Sequence, residues 1–357
     1  MKLNIPENNT SMKTKLILTT VLLFAGLISF AQMGFGKEKE IVEVYERKVI
    51  IVNEQYDERT LKVLEKKGKK GDITTYKNVI TKYNADLLEA VKTAWPFDTV
   101  IVVKKIEDVL EMKKDKKYNY VVVRTANIVR EVSTSSASLD VNAGIYIDPK
   151  VIINGDFNAS DRASEGGRAV YLYFTLIEDE VKEPYAGKKP IIFVGVPQSL
   201  PARSDLTGAI QSAFWYMDQR LSEDRVGVDG LKMKVMQPAL FEEKELYIRE
   251  TDLGEKCTKQ DIADNYPYKF FIVSDEDFDE AVMTRNEDVI YLQRVLFPTT
   301  TSRIQNVFVF IDAASGKLCG MVTSYRIQER YLKNILNEYA LSGYVFKEIV
   351  SDIEKAK

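Results

Sequence analysis

The fold is decided by a stretch that occurs twice, as WPFDTVIVVKKIEDVL at residues 95–110 and as YPYKFFIVSDEDFDEAV at residues 266–282. Each copy begins with an aromatic–proline–aromatic motif, which ends a helix because proline disfavours helical geometry in the residue before it. The apolar run that follows predicts a short buried strand. The next block has apolar residues at positions i, i+3 and i+4, which is typical of one face of a helix. The repeated stretch therefore predicts two related units.

The likeness between the copies continues on both sides of this stretch. In each copy a strand and a helix precede it, and a further strand, a hairpin and an amphipathic helix follow it. The first copy has a strand at 49–52, a helix at 76–94, a strand at 118–124, a hairpin of 170–177 with 190–196, and a helix at 206–221 with Ser204 as its N-cap. The second copy has a strand at 245–249, a helix at 258–265, a strand at 289–295, a hairpin of 307–311 with 318–322, and a helix at 327–339. The predicted fold class is α/β, with two tandem related units of about β-α-β-α-β-β-β-α whose helices pack on a mixed sheet.

The chain divides into a signal peptide at 1–31, a first unit at 32–222, a linker at 223–238 and a second unit at 239–357. The units differ most in an insertion near 125–168, which is rich in serine, threonine, asparagine and glycine. Long irregular insertions on a rigid scaffold are often functional, and disorder is the other common explanation. Both interpretations stay open: a loop that binds a partner, or a mobile insertion without a role.

The segment before the first unit has the three parts of a secretory signal peptide. Lys13 and Lys15 precede an apolar run at 16–30. Small residues then predict cleavage between Ala31 and Gln32. The run of about 15 residues is shorter than the roughly 20 that a helix needs to cross a bilayer, which favours cleavage over an uncleaved anchor. The protein is therefore expected in the periplasm or outside the cell, without stable membrane insertion and without a lipid anchor, because the cleavage point has no cysteine.

The charge of the chain argues against a nucleic-acid partner. The formal net charge is −3, and it becomes −5 without the signal peptide, because that segment holds three lysines and one glutamate. Charges of both signs are spread through the rest of the chain, so the release of counterions that drives nucleic-acid binding has little basis here.

The chain contains no histidine, which removes the commonest general base and the commonest metal ligand. The sequence also lacks the Ser-x-x-Lys, Gly-x-Ser-x-Gly and Gly-x-x-x-x-Gly-Lys-Ser/Thr spacings of nucleophilic and phosphate-binding sites. We therefore predict no catalytic, cofactor-binding or metal-binding residues. One enzyme class stays open, a hydrolase of envelope glycan that uses two carboxylates.

Alternating acids at 275–279 resemble the start of a calcium loop. The match fails because Glu280 stands where the turn needs glycine, and Asn286 stands where a bidentate glutamate belongs. The better interpretation is that Ser274 caps a helix whose first turn is acidic, since acids complement the positive end of the helix dipole.

The two cysteines, Cys257 and Cys319, both fall in the second unit. Disulfides persist in the oxidising compartments that exported proteins reach, so a bond between them is one hypothesis. It would close a loop of about 63 residues and stabilise the unit by roughly 4 kcal/mol on the chain-entropy model. The other hypothesis is a pair of small buried hydrophobic side chains.

The second hairpin carries a family resemblance. The apolar strand at 307–311, the turn DAASGK at 312–317 and the strand after it resemble the hairpin of envelope α/β domains, namely the N-terminal domain of TolB and the related domain of the curli-secretion lipoprotein. The resemblance implies a periplasmic module without enzymatic activity that docks other envelope proteins. The lipid-bearing cysteine of the lipoprotein members is missing here. The end of the signal peptide, FAQ at 30–32, is also similar to those of secreted Bacteroidota proteins.

These observations favour a non-catalytic binding or assembly protein of the envelope or of the secreted fraction. Its expected partner is another envelope or surface protein. The alternative is the histidine-free glycan hydrolase with two carboxylates, and the sequence identifies no small-molecule ligand.

We predict that the mature protein begins at Gln32, because the small residues before it complete the signal-peptide pattern. Mass analysis of the amino terminus, on protein recovered from the native host, is expected to return this residue as the first. Recovery of the intact apolar segment from the membrane fraction would contradict the prediction.

Overall fold

The computed structural model of the chain describes residues 32–34, 36–132, 137–145, 147, 149–154, 168–182, 190–197, 200–222, 237–253, 257–298, 304–323 and 341–357. The predicted signal peptide at 1–31 and the predicted final helix at 327–339 lie outside the described residues. Most of the predicted linker does too, so the boundaries of the units stay predictions. Within the described part of the chain, no helix is both long enough and apolar enough to span a membrane.

The first unit contains a seven-stranded sheet and helices on both of its faces. Its strands are β1 (Gln32–Gly34), β2 (Lys48–Val52), β3 (Ile101–Lys104), β4 (Tyr120–Val132), β5 (Ala137–Ala143), β6 (Arg168–Leu176) and β7 (Ile192–Val196). Its helices are α1 (Glu38–Glu46), α2 (Glu58–Lys67), α3 (Asp72–Ala94), α4 (Ile106–Met112), α5 (Pro149–Asn154) and α6 (Arg203–Leu221). The strand order is β1-β7-β6-β4-β2-β3, and β5 pairs with β4.

The second unit contains a five-stranded sheet. Its strands are β8 (Glu245–Arg249), β9 (Phe270–Val273), β10 (Val289–Pro298), β11 (Ile304–Asp312) and β12 (Leu318–Thr323). Its helices are α7 (Pro238–Glu243), α8 (Lys259–Ala263), α9 (Asp275–Met283) and α10 (Gly343–Ala356). The strand order is β12-β11-β10-β8-β9.

The two sheets have the same topology. The path β7-β6-β4-β2-β3 of the first unit matches β12-β11-β10-β8-β9 of the second, with parallel pairs around β2 and β8 and antiparallel pairs beyond β4 and β10. The register also agrees, because Val49 pairs with Ile101 as Leu246 pairs with Phe270. The α/β class with two tandem related units, predicted from the repeated sequence, is confirmed.

The central strand β2 is apolar on both faces because helices cover both. Val49 and Ile51 belong to a cluster with the residues of α3 and α6. Ile50 and Val52 belong to another cluster with Ile106 and others of α4. Strands covered on both faces read as continuous apolar runs rather than alternating ones, which is why this strand could be recognised from its sequence.

Helix α6 lies between the two units and is buried all round. The sequence predicts an amphipathic helix here, but residues 204–217 are all buried, polar ones included. One apolar cluster runs from Ile51 of the first sheet through Ile210 of α6 to Tyr291 of the second sheet. The second unit therefore covers the face of α6 that was expected to meet water.

One prediction for this helix is wrong, and part of the insertion has regular secondary structure. Ser204 does not cap α6, because the helix begins at Arg203 and its N-cap is Ala202, whose N–H donates to the Asp205 carboxylate at 2.9 Å. The insertion near 125–168 is not irregular throughout: β4 continues into it, and β5 and α5 follow. Backbone pairing with β4 overrides the weak strand propensity of its small polar residues.

The contact between α6 and the second sheet centres on Arg249. Its Nη2 donates to Asp205 Oδ1 at 2.9 Å, to Ser204 Oγ at 3.1 Å and to Asp279 Oδ1 at 3.2 Å. Its guanidinium carbon lies 4.0 Å from the centroid of the Phe278 ring. Because Arg249 and Asp205 are both buried, their charges depend on each other for compensation.

We expect Arg249→Met to lower the free energy of unfolding by about 3–5 kcal/mol, since it leaves Asp205 buried without its cation. Urea unfolding measures the change. Arg203→Met is the matched control, because Arg203 is exposed in the first turn of the same helix and should change stability by about 0.5 kcal/mol or less. Equal losses in the two variants would show that the buried ion pair does not stabilise the contact.

Candidate functional site

Of the two residues at the predicted cleavage site, Gln32 lies at the start of the described chain. Gln32 begins β1, which pairs antiparallel with β7 so that Gln32 lies opposite Val194. Ala31 lies outside the described residues. The cleavage itself stays a prediction.

Cys257 and Cys319 are buried free thiols in the apolar core of the second unit. Burial raises the pKa of Cys257 to about 11 and that of Cys319 to about 12. Both thiols are therefore protonated near neutral pH, and the thiolate is the form that reacts. This arrangement corresponds to the second hypothesis from the sequence, and a disulfide in the native compartment stays a prediction.

Of the acids at 275–279, Asp275, Glu276 and Asp277 lie in the first turn of α9. Ser274 caps this helix, as its Oγ accepts the Asp277 N–H at 3.1 Å, which confirms the interpretation as a cap. Among the described residues, no group of three or more cysteine, aspartate or glutamate side chains has an arrangement that could hold a metal ion.

Two buried carboxylate clusters are neutralised by arginine. Glu180 Oε1 accepts from Arg124 Nη1 at 2.8 Å and from the Tyr173 hydroxyl at 3.4 Å. Glu180 is only 1% exposed. Asp205 and Asp279 share Arg249, as described above. Glu180 and Asp205 are thus buried in ion pairs, whereas the Asp279 side chain is 41% exposed.

A polar junction forms where β4 changes partner. Residues 120–123 of β4 pair in parallel with β2, and residues 126–132 pair antiparallel with β5. The end of β2 and the end of β5 therefore meet beside Arg124 and Thr125.

Glu54, two residues after β2, fills this junction. Thr125 Oγ1 donates to Glu54 Oε1 at 2.9 Å, and the Tyr83 hydroxyl donates to Thr125 Oγ1 at 2.9 Å. The Ile145 N–H also donates to the Glu54 carboxylate. Asn84 fixes the Glu54 backbone, with its Oδ1 accepting the N–H at 2.8 Å and its Nδ2 donating to the carbonyl at 3.1 Å.

Gly144 leaves room for the Glu54 carboxylate. It has a φ of 78°, and a Cβ at this position would lie 2.0 Å from Glu54 Oε2. Its N–H donates to the Thr125 carbonyl at 2.8 Å, and its carbonyl accepts from Asn127 Nδ2 at 2.8 Å. The root of the β4–β5 hairpin is thus fixed on the end of the sheet.

Burial of the Glu54 carboxyl group raises its pKa from 4.5 to about 7, against the opposing effects of the Thr125 hydrogen bond, the Arg124 charge and the Ile145 N–H. Glu54 therefore titrates near neutral pH. It also lies at the carboxyl end of a parallel strand, where open α/β sheets commonly place functional groups. That rule could have identified Glu54 from the sequence, since β2 was recognised there.

The outer edges of the two sheets are open at equivalent strands. Every residue of β3 and β9 is half-buried or exposed. Val103 in β3 is 38% exposed, Val100 before it is 53% exposed, and Phe271 in β9 is 40% exposed. Among the described strands, β3 pairs only with β2, and β9 pairs only with β8.

The described chain thus offers two candidates for function, the junction at Glu54 and the open edges of β3 and β9. No family model, curated protein or solved structure matches the chain. The junction is partly buried and connects elements of the first unit. The edges instead direct unpaired backbone groups and apolar side chains outwards, where a macromolecular partner can reach them.

We expect Gly144→Ala to lower the free energy of unfolding by about 2–4 kcal/mol, because the left-handed backbone and the displaced Glu54 carboxylate both add strain. Gly71→Ala is the control, since Gly71 also has positive φ, 105°, but has open space around its Cβ position. Chemical denaturation compares the two variants. If Gly71→Ala destabilises the protein as much, the close approach of Glu54 to Gly144 has no energetic importance.

Proposed function

We propose that the protein is exported and acts outside the cytoplasm as a non-catalytic binding or assembly protein. Its partner would be an envelope or surface protein that adds an extended segment to an open sheet edge. The observation that carries this proposal is the pair of equivalent open edges at β3 and β9. Strand addition of this kind obtains affinity from main-chain hydrogen bonds and specificity from alternating side chains.

The composition of the edges supports a binding role. Proteins commonly protect edge strands with charges or proline, because unpaired strands otherwise add further chains. β9 contains neither, and β3 has a single charge, that of Lys104 at its last position. The apolar surface at β3 also extends to Phe97, which is 38% exposed and packs against Tyr45 with ring centroids 5.0 Å apart.

The alternative, a two-carboxylate glycan hydrolase, is less well supported. Such an enzyme needs two carboxyl groups that flank the scissile bond of a bound sugar. Glu180 is held against Arg124 out of contact with solvent, and Asp205 is held against Arg249 between the units. These contacts favour structural roles for the buried acids.

The direction of the β3 backbone suggests how to block the edge. Val49 N–H donates to the Val100 carbonyl, and Asn53 N–H donates to the Lys104 carbonyl. Residues alternate between the two sides of a strand, so even-numbered positions of β3 face β2 and Val103 faces the open edge. Proline at 103 would remove an outward N–H and leave the ladder to β2 in place.

We expect a photo-crosslinking amino acid at position 100, in protein expressed in the native host, to form an adduct with one envelope or surface protein, identified by mass spectrometry. Val103→Pro should abolish this adduct, whereas Val103→Ala should retain it, because alanine keeps the N–H that strand addition uses. The same crosslinker at Lys62, exposed on α2, is the positional control. An adduct that also forms at 62, or that survives Val103→Pro in folded protein, would contradict strand addition at β3.

A further inference from the structure

The open edge at β3 has opposite charges at its two ends. Residues 98–105 read DTVIVVKK, with an acid at the start, apolar residues in the middle and two lysines at the end. Asp98 is exposed and Lys104 is half-buried. Neither side chain forms an ion pair among the described residues. A second strand of the same sequence, running in the opposite direction, would therefore bring an acid to each end of this edge where a lysine stands, and a lysine to each acid.

We propose that the partner at β3 is a second copy of this chain: the two β3 edges pair antiparallel about a two-fold axis at Ile101, with Asp98 of each copy opposite Lys104 of the other. This inference rests on the proposed function, because it names the occupant of one open edge, and a second copy of an exported chain is itself an envelope or surface protein. The edge of β9 stays open to a different protein. The lysine beside β9, Lys269, already pairs with Glu245 within the chain, so it is not free to bind a second copy in this way.

The hydrogen bonds between β2 and β3 restrict the possible registers. The Val49 N–H donates to the Val100 carbonyl, and the Asn53 N–H donates to the Lys104 carbonyl. Even-numbered residues of β3 therefore bond to β2, and odd-numbered residues direct their N–H and C=O groups to the open edge. A two-fold axis perpendicular to the sheet places the residue on the axis opposite itself. With Ile101 on the axis, the outward groups of residues 99, 101 and 103 meet those of residues 103, 101 and 99.

The side chains favour this register over its neighbours. Directly opposite residues of an antiparallel pair lie on the same face of the sheet and contact each other. With Ile101 on the axis, Val100 lies opposite Val102, and Asp98 lies opposite Lys104. The symmetry produces each of these contacts twice. Moving the axis by one residue in either direction would place Lys104 opposite an apolar residue, without an acid to compensate its charge.

The charge of Lys104 makes the edge selective. A lysine on an edge strand normally discourages pairing, because an added strand leaves its charge without compensation. Asp98 of a second copy removes this obstacle, whereas most other strands would not. The exposed ring of Phe97 would also lie opposite Lys105 of the second copy, and a lysine over an aromatic ring is stabilising. The same edge thus repels unrelated strands and accepts its own copy.

The test is dimerisation of the protein recovered from the native host, measured by sedimentation at low ionic strength, because salt screens exposed ion pairs. Asp98→Lys and Lys104→Asp each place like charges opposite one another at two symmetric positions. Each should raise the dissociation constant of the dimer about tenfold or more. The double variant restores opposite charges and should dimerise within about threefold of the wild type. Glu65→Lys, exposed on α2, changes the net charge by as much as Asp98→Lys and should have no effect.

A monomeric wild type, or a double variant as weak as the single variants, would overturn self-pairing at β3. The crosslinker at position 100 separates this inference from the proposed function. An adduct of the chain with itself supports both. An adduct with a different protein, together with a monomeric chain, overturns self-pairing and leaves strand addition at β3 in place. A monomeric chain that forms no adduct contradicts both.

Discussion

The burial of helix α6 between two sheets is the constraint on which the rest of the structure depends. A helix with water on one side needs only one apolar stripe, but residues 204–217 are enclosed on all sides. Polar side chains on the second face are then buried, where unpaired polar groups are destabilising. Asp205 pairs with Arg249, and Ser212 donates to the Gly316 carbonyl at 2.9 Å, whereas the buried amide of Gln211 has no hydrogen-bond partner among the described residues. Helix α6 of the first unit is therefore fully buried only when the second unit covers its other face.

Because the two sheets share one topology, the differences between the units indicate which features are specific to each. Both sheets end in an open parallel strand, and both bury the strand beside it. Only the first unit, within the described chain, extends its long central strand beyond the neighbouring strand with a second antiparallel partner, β5. That extension creates the junction, because β4 pairs first with β2 and then with β5. The backbone between these two strands needs a polar side chain as a hydrogen-bond partner. Glu54 supplies it.

The sequence predicted those parts of the fold that depend on local pattern. The strand at 245–249 agrees with β8, and the helix at 76–94 corresponds to most of α3, because apolar patterning defines both and the proline motif at 95–97 ends the helix. Parts that depend on tertiary contact were not predictable in this way. The amphipathic pattern of α6 did not predict that the second sheet would cover the helix. The polar residues near 137–143 did not predict a strand that pairs with β4. Gly144 is similar, since its left-handed backbone and its close approach to Glu54 together explain why glycine stands there.

The absence of histidine gives Glu54 its particular interest. Histidine is the only side chain whose unperturbed pKa places a charge change between about pH 5 and pH 8. A chain without histidine can respond to pH in this range only through its amino terminus or through a group whose pKa is shifted by its surroundings. Burial can raise the pKa of a carboxyl group into the neutral range. Burial without a dedicated cation is the less common arrangement, because most buried acids lie against arginine, as Glu180 and Asp205 do here. In Glu54 the effect of burial outweighs those of the Thr125 hydrogen bond and the Arg124 charge, so that the pKa is raised to about 7.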